Sequence, residues 1–289
     1  MKSINKTVYS FVKIIDMKIA RNVPHNDSII SFYNENTTND ITYNKSDINN
    51  TLICTYNVHG WVNINANIKY VDNFNNIVTL LSKINADIIV LQEVCLTTKL
   101  TIEHIAETFK NYNYVDYIIV PNGGCFLNKT KDDYLLVLSK QKLSLKESID
   151  VTENGFKRHC VVIKYNDIKL LCVHLEIGRR VHHLPENSAT RKRIEKANYI
   201  TRIKQLNKIF NKHNDINAIV GDFNFMPSDP ESKWLLARKY KYYGNDTNTT
   251  PYNRTDMLFM LFTNGLHINN TVDIICNYSD HIPVIYEID

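Results

Sequence analysis

Short runs of isoleucine, valine and leucine recur along this chain from residue 51 onward, and helical patterns separate several of them. Eight runs predict strands, and four stretches with apolar residues every three or four positions predict helices. The predicted strands are Leu52–Tyr56, Asp87–Leu91, Tyr134–Leu138, Cys160–Tyr165, Lys169–His174, Ala218–Val220, Met257–Phe262 and Pro283–Ile288, and the predicted helices are Phe74–Ile84, Leu100–Lys110, Arg191–His213 and Glu231–Lys239. Together with a hairpin turn at Asn166–Asp167, this alternation predicts mixed β-sheets covered by helices.

The first 50 residues differ in composition from the rest of the chain. Residues 31–50 are rich in Asn, Thr and Asp, which is typical of a linker. Residues 7–20 have some apolar content and are compatible with an extra helix or with an edge strand. Because no Pro/Gly-rich boundary follows residue 51, we expect an N-terminal extension over residues 1–50 and one domain over residues 51–289.

The cysteines and the charge limit the class of protein. None of the six cysteines forms a C-x-x-C pair, which argues against a zinc ribbon. Most have apolar neighbours, so we expect buried thiols in a reducing compartment. No membrane span is visible, and Lys13, Asp16 and Lys18 interrupt the N-terminal apolar stretch, which predicts an intracellular protein, cytoplasmic or nuclear, without a signal peptide. The net charge of +4 is compatible with a phosphate-bearing partner but does not identify one.

Polar residues suited to metal binding and proton transfer follow four predicted strands and precede the last one. They are Asn57, Gln92 with Glu93, His174, Asp222 with Asn224, and Ser279 with Asp280 and His281. Taken singly, each is as compatible with a turn or a solvated surface, but strand ends converge at one rim of a sheet and can bring such residues together. Carboxylate and amide oxygens without cysteine suit Mg²⁺ or Mn²⁺ better than Zn²⁺. Beside such an ion, histidine can bind phosphate and aspartate can polarise water, so the pattern predicts hydrolysis of a phosphate ester.

In this order, the motifs resemble the endonuclease/exonuclease/phosphatase superfamily over residues 51–289. The matching segments are Cys54–Asn57, Ala86–Glu93, Val173–Leu175, Gly221–Asn224 and Ser279–Val284. The resemblance implies an α/β (α+β) fold, namely a four-layer αββα sandwich of two mixed β-sheets flanked by helices. It also implies a phosphodiesterase that uses Mg²⁺, with Mn²⁺ as a possible substitute.

The resemblance implies a role for each residue near the metal and the attacking water. Glu93 resembles the principal metal ligand, Asn57 lies beside it, and Asp280 lies near the metal. Asp222 matches the residue that positions or deprotonates the attacking water. Asn224 matches the residue that holds this water and the phosphate.

The resemblance also implies roles for residues that bind the phosphate. His281 and His174 match two phosphate-binding histidines. Asp256 belongs to an Arg-x-Asp motif that begins at Arg254, and it matches the residue that orients His281 and favours its protonated form. A carboxylate on a surface turn is the alternative for Asp256.

The substrate is the least determined feature of the sequence. His174–Leu175 resembles the branches of pancreatic deoxyribonuclease, sphingomyelinase and 5′-tyrosyl-DNA phosphodiesterase more than the abasic-site endonucleases. Arg179, Arg180 and Arg193 lie in a basic segment after this pair, which is suited to a nucleic-acid backbone, DNA more than RNA, or is a solvated loop. The stretch 234–243 is compatible with stacking on bases or with packing of Trp234 in the core.

We therefore expect a nuclease or a DNA-end-processing phosphodiesterase. One alternative is a phosphoesterase that acts on a lipid headgroup or a phosphoinositide. The other is a binding protein that has kept the fold without the chemistry, but the sequence retains the acidic and histidine residues that such a protein would lose.

Overall fold

A computed structural model describes residues 29–31, 43, 45–62, 70–125, 128–153, 157–178, 184–185, 187–244, 256–261, 266–276 and 278–289. The strands are β1 Ile29–Ser31, β2 Thr51–Asn57, β3 Ile88–Cys95, β4 Asp116–Cys125, β5 Asn128–Ser139, β6 Leu145–Asp150, β7 His159–Tyr165, β8 Ile168–His174, β9 Ala218–Asp222, β10 Tyr240–Tyr243, β11 Asp256–Leu261, β12 Ile268–Ile275 and β13 Val284–Ile288. The α-helices are α1 Tyr70–Ile84, α2 Ile102–Lys110, α3 Ala189–Lys212 and α4 Pro230–Leu236, and a 3-10 helix covers His59–Trp61.

The strands form two mixed sheets. The seven-stranded sheet has the order β1-β12-β13-β2-β3-β5-β4, and the six-stranded sheet has the order β10-β11-β9-β8-β7-β6. In the interior of each sheet one pair is parallel, β2 with β3 and β8 with β9. Parallel neighbours need a long crossover connection, and α1 and α3 lie in these two connections. Each sheet is therefore built around a βαβ unit.

Side chains that alternate along the strands separate the fold into four layers. On β2, Ile53 belongs to the core between the two sheets, whereas Cys54 belongs to the core that includes α1. On β8, Cys172 belongs to the core between the sheets, and Leu171 packs in a third core with Leu206 of α3. A strand that is covered on both faces has this pattern of apolar residues on either side. The four-layer αββα sandwich implied by the family resemblance is confirmed.

Each predicted strand and helix overlaps an observed one, and the strands that the sequence did not predict lie at or next to sheet edges. β4 and β1 are the edges of the seven-stranded sheet, β6 and β10 are the edges of the six-stranded sheet, and β12 lies beside β1. An edge strand faces solvent and so needs fewer apolar residues. In β6, for example, only Ile149 is buried, so the strand lacks the apolar run used for prediction.

The apolar stripe expected along α3 is buried in its C-terminal half only. Leu206 and Ile209 are buried, whereas Ile200 is 41% exposed. Nearer the N-terminus the buried positions are polar: Arg202 and Gln205 bind the backbone that follows β8. Helix α3 therefore packs there on a loop whose N–H and C=O groups need polar partners. No helix in the described part of the chain is both long and apolar enough to cross a membrane.

Residues before position 51 take part in the seven-stranded sheet. β1 pairs with β12 in parallel. The buried Glu287 carboxylate on β13 accepts hydrogen bonds from Tyr43, Ser46 and Asn50. Residues 7–20, for which a helix or an edge strand was expected, lie outside the described residues.

The cysteines are buried, as the sequence predicted for thiols with apolar neighbours. Five of them are buried and form no disulfide: Cys54, Cys95, Cys160, Cys172 and Cys276. Burial raises the pKa of the Cys160 thiol to about 12. Such thiols behave as small apolar residues. Nothing is said of the Cys125 side chain, which lies outside the described part.

Candidate active site

The two βαβ units bring the C-terminal ends of four strands together. Asn57 is the last residue of β2, His174 ends β8, and Asp222 ends β9. His174 and Asp222 are paired residues of the parallel strands β8 and β9, and β9 also contacts β2 and β3 of the other sheet. The predicted convergence of polar residues is thus a contact between two sheets, in addition to one rim of a single sheet.

Asn57 lies at the centre of this contact. Its Nδ2 atom donates to Glu93 Oε1 at 3.0 Å and to Asp222 Oδ2 at 3.2 Å. Its Oδ1 atom accepts from the backbone N–H of His59 at 3.0 Å. Asn57 is fully buried and Asp222 is 1% exposed, so water screens the two carboxylates poorly. The amide hydrogens of Asn57 offset part of their mutual repulsion.

A backbone irregularity places Glu93 in the site. The strand predicted to end at Leu91 continues to Cys95, so Glu93 lies inside β3 and that predicted end was wrong. The pairing with β5 shifts between Leu91 and Val94, and Glu93 has a φ of 54°. A left-handed backbone in a residue other than glycine costs on the order of 1–3 kcal/mol. Bulges of this kind redirect a side chain near functional sites.

His59 is a site residue that the sequence did not indicate. Its Nδ1 atom lies 3.4 Å from Glu93 Oε2 and 3.3 Å from Asp280 Oδ1. Burial acts to lower the pKa of His59, but the hydrogen bond to Glu93 and the charge of Asp280 outweigh burial and raise it. Its position, two residues after Asn57 at the same strand end, is the signal that would have identified it.

The Glu93 carboxyl is held in its ionised form. Burial acts to raise its pKa, but contacts with His59, His174 and Asn57 outweigh burial and lower the pKa well below its usual range. The charge of His281 acts in the same direction. Glu93 therefore lies among donors and cations that stabilise a negative charge.

The segment before β13 reaches the same place. Ser279 Oγ donates to the Asn57 carbonyl oxygen at 2.8 Å and accepts from the His281 backbone N–H at 3.2 Å. Asp280 contacts His59, and His281 is 9% exposed. The serine of the Ser-Asp-His motif thus ties the other two residues to the end of β2.

His174 faces the two carboxylates from the second sheet. Its Nε2 atom lies 3.8 Å from Glu93 Oε1 and 3.9 Å from Asp222 Oδ2. Its Nδ1 atom lies 3.0 Å from Nη1 of Arg158, which the sequence did not single out. Burial, followed by the Arg158 charge, lowers the pKa of His174 well below its usual value. His174 is therefore neutral at physiological pH.

Asn224 fixes the carboxylate of Asp222. The Asn224 backbone N–H donates to Asp222 Oδ1 at 2.8 Å, and its Nδ2 atom donates to the Leu175 carbonyl oxygen at 2.9 Å. The φ of Asn224 is 52°, a left-handed conformation that asparagine tolerates better than most residues. The Gly-Asp-Phe-Asn motif therefore ties the end of β9 to the residue that follows β8.

Comparison with known proteins agrees with this geometry. Residues 54–281 match the model of the Endonuclease/Exonuclease/phosphatase family. The chain belongs to this family. Its members are hydrolases that act on phosphate esters. No curated protein matches the sequence.

Several solved structures share the fold at low sequence identity. The human Nocturnin catalytic domain is 16% identical with a TM-score of 0.60, and the match covers 83% of this chain and 93% of that one. The 3′ phosphatase NExo from Neisseria, bound to product DNA hairpin, is 15% identical with a TM-score of 0.56, over 83% and 99%. Humanized D. rerio TDP2 is 16% identical with a TM-score of 0.52, over 83% and 99%.

The donor set suits a hard divalent cation. Within the described ranges, no group of three or more His, Cys, Asp and Glu side chains is arranged to hold a metal ion. Magnesium does not need such a group, because one or two carboxylates with water and substrate oxygens complete its shell. Glu93 and Asp280 both contact the same nitrogen of His59, which places the two carboxylates close together. Their oxygens therefore fit Mg²⁺ better than a metal that prefers sulfur ligands.

The remaining predicted site residues lie at the margin of the described structure. The Asp256 backbone pairs with Asp222, so the start of β11 lies beside the site, but the Asp256 side chain is outside the described part. Arg179 and Arg180 are also outside it. Arg193 is exposed on the first turns of α3.

The aromatic and basic stretch 234–243 has a packing role. The ring of Trp234 lies 5.7 Å from that of Phe210, and the Arg238 guanidinium lies 3.3 Å over the Trp234 ring. The face of Trp234 is therefore covered by Arg238, a cation–π contact within the chain. These contacts favour core packing with a basic edge over stacking on bases.

Proposed function

We propose that this chain is a Mg²⁺-dependent phosphodiesterase that acts on nucleic acid, as a nuclease or a DNA-end-processing enzyme, with Mn²⁺ as a possible substitute. One observation carries the proposal: Asn57, Glu93, His174 and Asp222, from four strand ends in two sheets, lie within 3.0–3.9 Å of one another through the contacts described. Two carboxylates, an amide and a neutral histidine in a buried setting are suited to phosphate ester hydrolysis.

Glu93 and Asp280 would hold the cation, with Asn57 beside them. When bound, a divalent cation supplies positive charge that offsets the charge of the phosphate. Asp222 would accept a proton from the attacking water, because its Oδ1 is fixed by the Asn224 N–H while its Oδ2 points toward Asn57.

The histidines would bind the phosphate group. His174 would donate from Nε2 to a non-bridging oxygen, and His281 would donate to the same group from the opposite sheet. Asp256 would orient His281 from the start of β11.

The basic residues support nucleic acid as the substrate. Arg193 is exposed near the end of the loop that follows His174, and Arg179 and Arg180 belong to the same segment of sequence. Such residues bind successive phosphates of a backbone. The NExo structure, which shares this fold, contains a DNA hairpin product. The buried thiols favour a reducing, intracellular compartment.

A panel of substrates with magnesium tests the proposal. The panel contains single- and double-stranded DNA, abasic-site DNA, 5′-phosphotyrosyl DNA, RNA and a phosphoinositide, with Asp222→Asn as the control. We expect hydrolysis of a nucleic-acid substrate that the control loses. Hydrolysis of the phosphoinositide alone would replace the substrate and keep the site, and inactivity on the whole panel would contradict the proposal.

The basic segment is tested separately by salt dependence. Replacing Arg179 and Arg180 by alanine removes two cations, so we expect weaker DNA binding and a salt slope that is shallower by about two. An unchanged slope would show that this segment is a solvated loop.

A further inference from the structure

A buried contact between Arg158 and His174 fixes the hydrogen positions of the histidine. Arg158 directly precedes β7, is 9% exposed, and places Nη1 3.0 Å from His174 Nδ1. A guanidinium group has donors on every nitrogen and no acceptor, so Arg158 must be the donor. His174 Nδ1 is therefore the acceptor, and the single ring hydrogen of a neutral imidazole lies on Nε2.

We propose that Arg158 is a positioning residue that selects the Nε2–H tautomer of His174, so that this N–H is presented to the substrate phosphate. The inference rests on the proposed function for the role of the phosphate. The Nε2 atom faces Glu93 Oε1 and Asp222 Oδ2 at 3.8 and 3.9 Å. In the other tautomer a lone pair would face two carboxylates and an incoming anion, which is repulsive. The selected tautomer presents a hydrogen that can be donated to a phosphate oxygen.

The surroundings of Arg158 explain why it acts through His174. Its Nη1 atom also donates to the Asn122 carbonyl oxygen at 2.9 Å, and its Nε atom lies 3.6 Å from Glu176 Oε2. Its backbone N–H donates to Thr152 Oγ1 at 3.0 Å. Contacts from β4, from the residues after β6 and from the residues after β8 therefore hold the side chain in place. A guanidinium held in this way is pre-organised for one acceptor, which is the function of groups that orient active-site histidines.

The direct test is the tautomer of His174, measured by ¹⁵N-detected NMR of the imidazole in the metal-free protein. We expect an unprotonated Nδ1 and a protonated Nε2 in the unaltered chain. In Arg158→Met this pattern should change to a mixture of tautomers, because the donor to Nδ1 is gone. Arg158→Lys keeps a donor and should retain more of the original pattern, and it replaces Arg158→Met if that variant does not fold. The readout does not require activity, so it stands even if the proposed function fails.

A double-mutant cycle tests whether Arg158 acts through His174. On a substrate that the protein hydrolyses, we expect Arg158→Met to lower kcat by roughly 10- to 100-fold, the scale observed when a group that orients a functional histidine is removed, with KM changed less than about threefold. In a His174→Gln background the same substitution should change kcat by less than about twofold, because there is no tautomer left to select. Lys110→Met, which removes an exposed cation on α2, is the control for net charge.

Two results would overturn the inference. One is an unchanged His174 tautomer in folded Arg158→Met. The other is a loss of activity that multiplies with that of His174→Gln, or that falls mainly on KM. Such a loss would mean that Arg158 contacts the substrate itself.

Discussion

The hydrogen bond from Asn57 Nδ2 to Asp222 Oδ2, 3.2 Å long, joins the last residue of β2 to the last residue of β9. These strands belong to different sheets, and each is one member of a parallel pair with a crossover helix. The candidate active site therefore lies where the C-terminal ends of two βαβ units meet. This arrangement explains why residues about 165 positions apart in sequence contact one another.

Asn57→Asp would replace the donor at this junction by a third carboxylate. We expect a lower Tm in the presence of a chelator, since Glu93 and Asp222 lose a donor and gain a repulsive neighbour. Added magnesium should raise the Tm of the variant more than that of the unaltered chain, because the cation offsets the added charge. Differential scanning calorimetry with chelator and with magnesium measures both effects, and Asn49→Asp, at an exposed position, is the control. Equal magnesium shifts in all three proteins would contradict this view of the junction.

A buried ion pair links the two loops that flank the site. Arg202 on α3 contacts Glu231 at 2.6–2.7 Å and donates to the carbonyl oxygens of Glu176 and Ile177, which follow β8. Arg202→Met should lower the free energy of unfolding by about 3 kcal/mol or more, because Glu231 is 1% exposed and would keep a buried charge without its partner.

The matched control for this pair is on the same helix. Arg191 forms an (i, i+4) pair with Glu195, which is 46% exposed, and Arg191→Met should cost less than about 0.5 kcal/mol. Denaturant unfolding measures both variants. Similar losses for Arg191→Met and Arg202→Met would show that the buried pair contributes no more than an exposed one.

The Glu287 carboxylate predicts a dependence of stability on pH. Burial acts to raise its pKa, but hydrogen bonds from Asn50, Ser46 and Tyr43 outweigh burial and lower the pKa below its ordinary value of 4.5. A lowered pKa in the folded state stabilises the protein above the ordinary value, and this contribution is lost as the pH falls through the folded-state pKa. In Glu287→Gln, unfolding free energy should therefore fall less steeply below pH 4.5.

Urea unfolding between about pH 3 and pH 6 measures this slope. Glu107→Gln, at an exposed position on α2, should leave the slope unchanged. A slope for Glu287→Gln equal to that of the unaltered chain would contradict the assignment of the acid-sensitive contribution to Glu287.

Gly221 is required by the close approach of β8 to β9. Its φ is 138°, and a Cβ atom there would lie 2.0 Å from the Val173 carbonyl oxygen. Gly221→Ala should move the ends of both strands, so we expect a loss of activity and a larger loss of stability than for Gly123→Ala. Gly123 also has a positive φ, 105°, but its added Cβ would meet atoms no nearer than 3.6 Å, so backbone strain of about 1–3 kcal/mol is its main cost. Equal losses in denaturant unfolding would contradict the steric explanation.

The interior strands and the motif residues could be predicted from sequence because each carries its own local signal. Apolar runs mark β2, β3, β8 and β9, and acidic, amide and histidine residues follow them. The edge strands β4, β6 and β10 carry weaker signals, since one face or one edge is solvated. Their existence depends on pairing with a neighbour, which sequence periodicity does not encode.

Other parts of the site depend on contacts that are distant in sequence. Arg158 looks like an ordinary surface arginine until β7 pairs with β8 and places it beside His174. The left-handed backbone at Glu93 follows from the bulge against β5, and the apolar run before Glu93 gave no sign of it. In α3, Arg202 interrupts the apolar stripe because its partners are backbone groups of another segment.

The most direct test of the central claim is the rate at which the purified protein hydrolyses a DNA phosphodiester, with and without magnesium, beside Glu93→Gln and Asp222→Asn. The account predicts cleavage that requires the divalent cation and that falls by about 100-fold or more in each variant, since one removes a metal ligand and the other a general base. Circular dichroism shows whether both variants are folded. Folded variants that keep the rate of the unaltered chain, or cleavage that survives exhaustive chelation, would contradict the account.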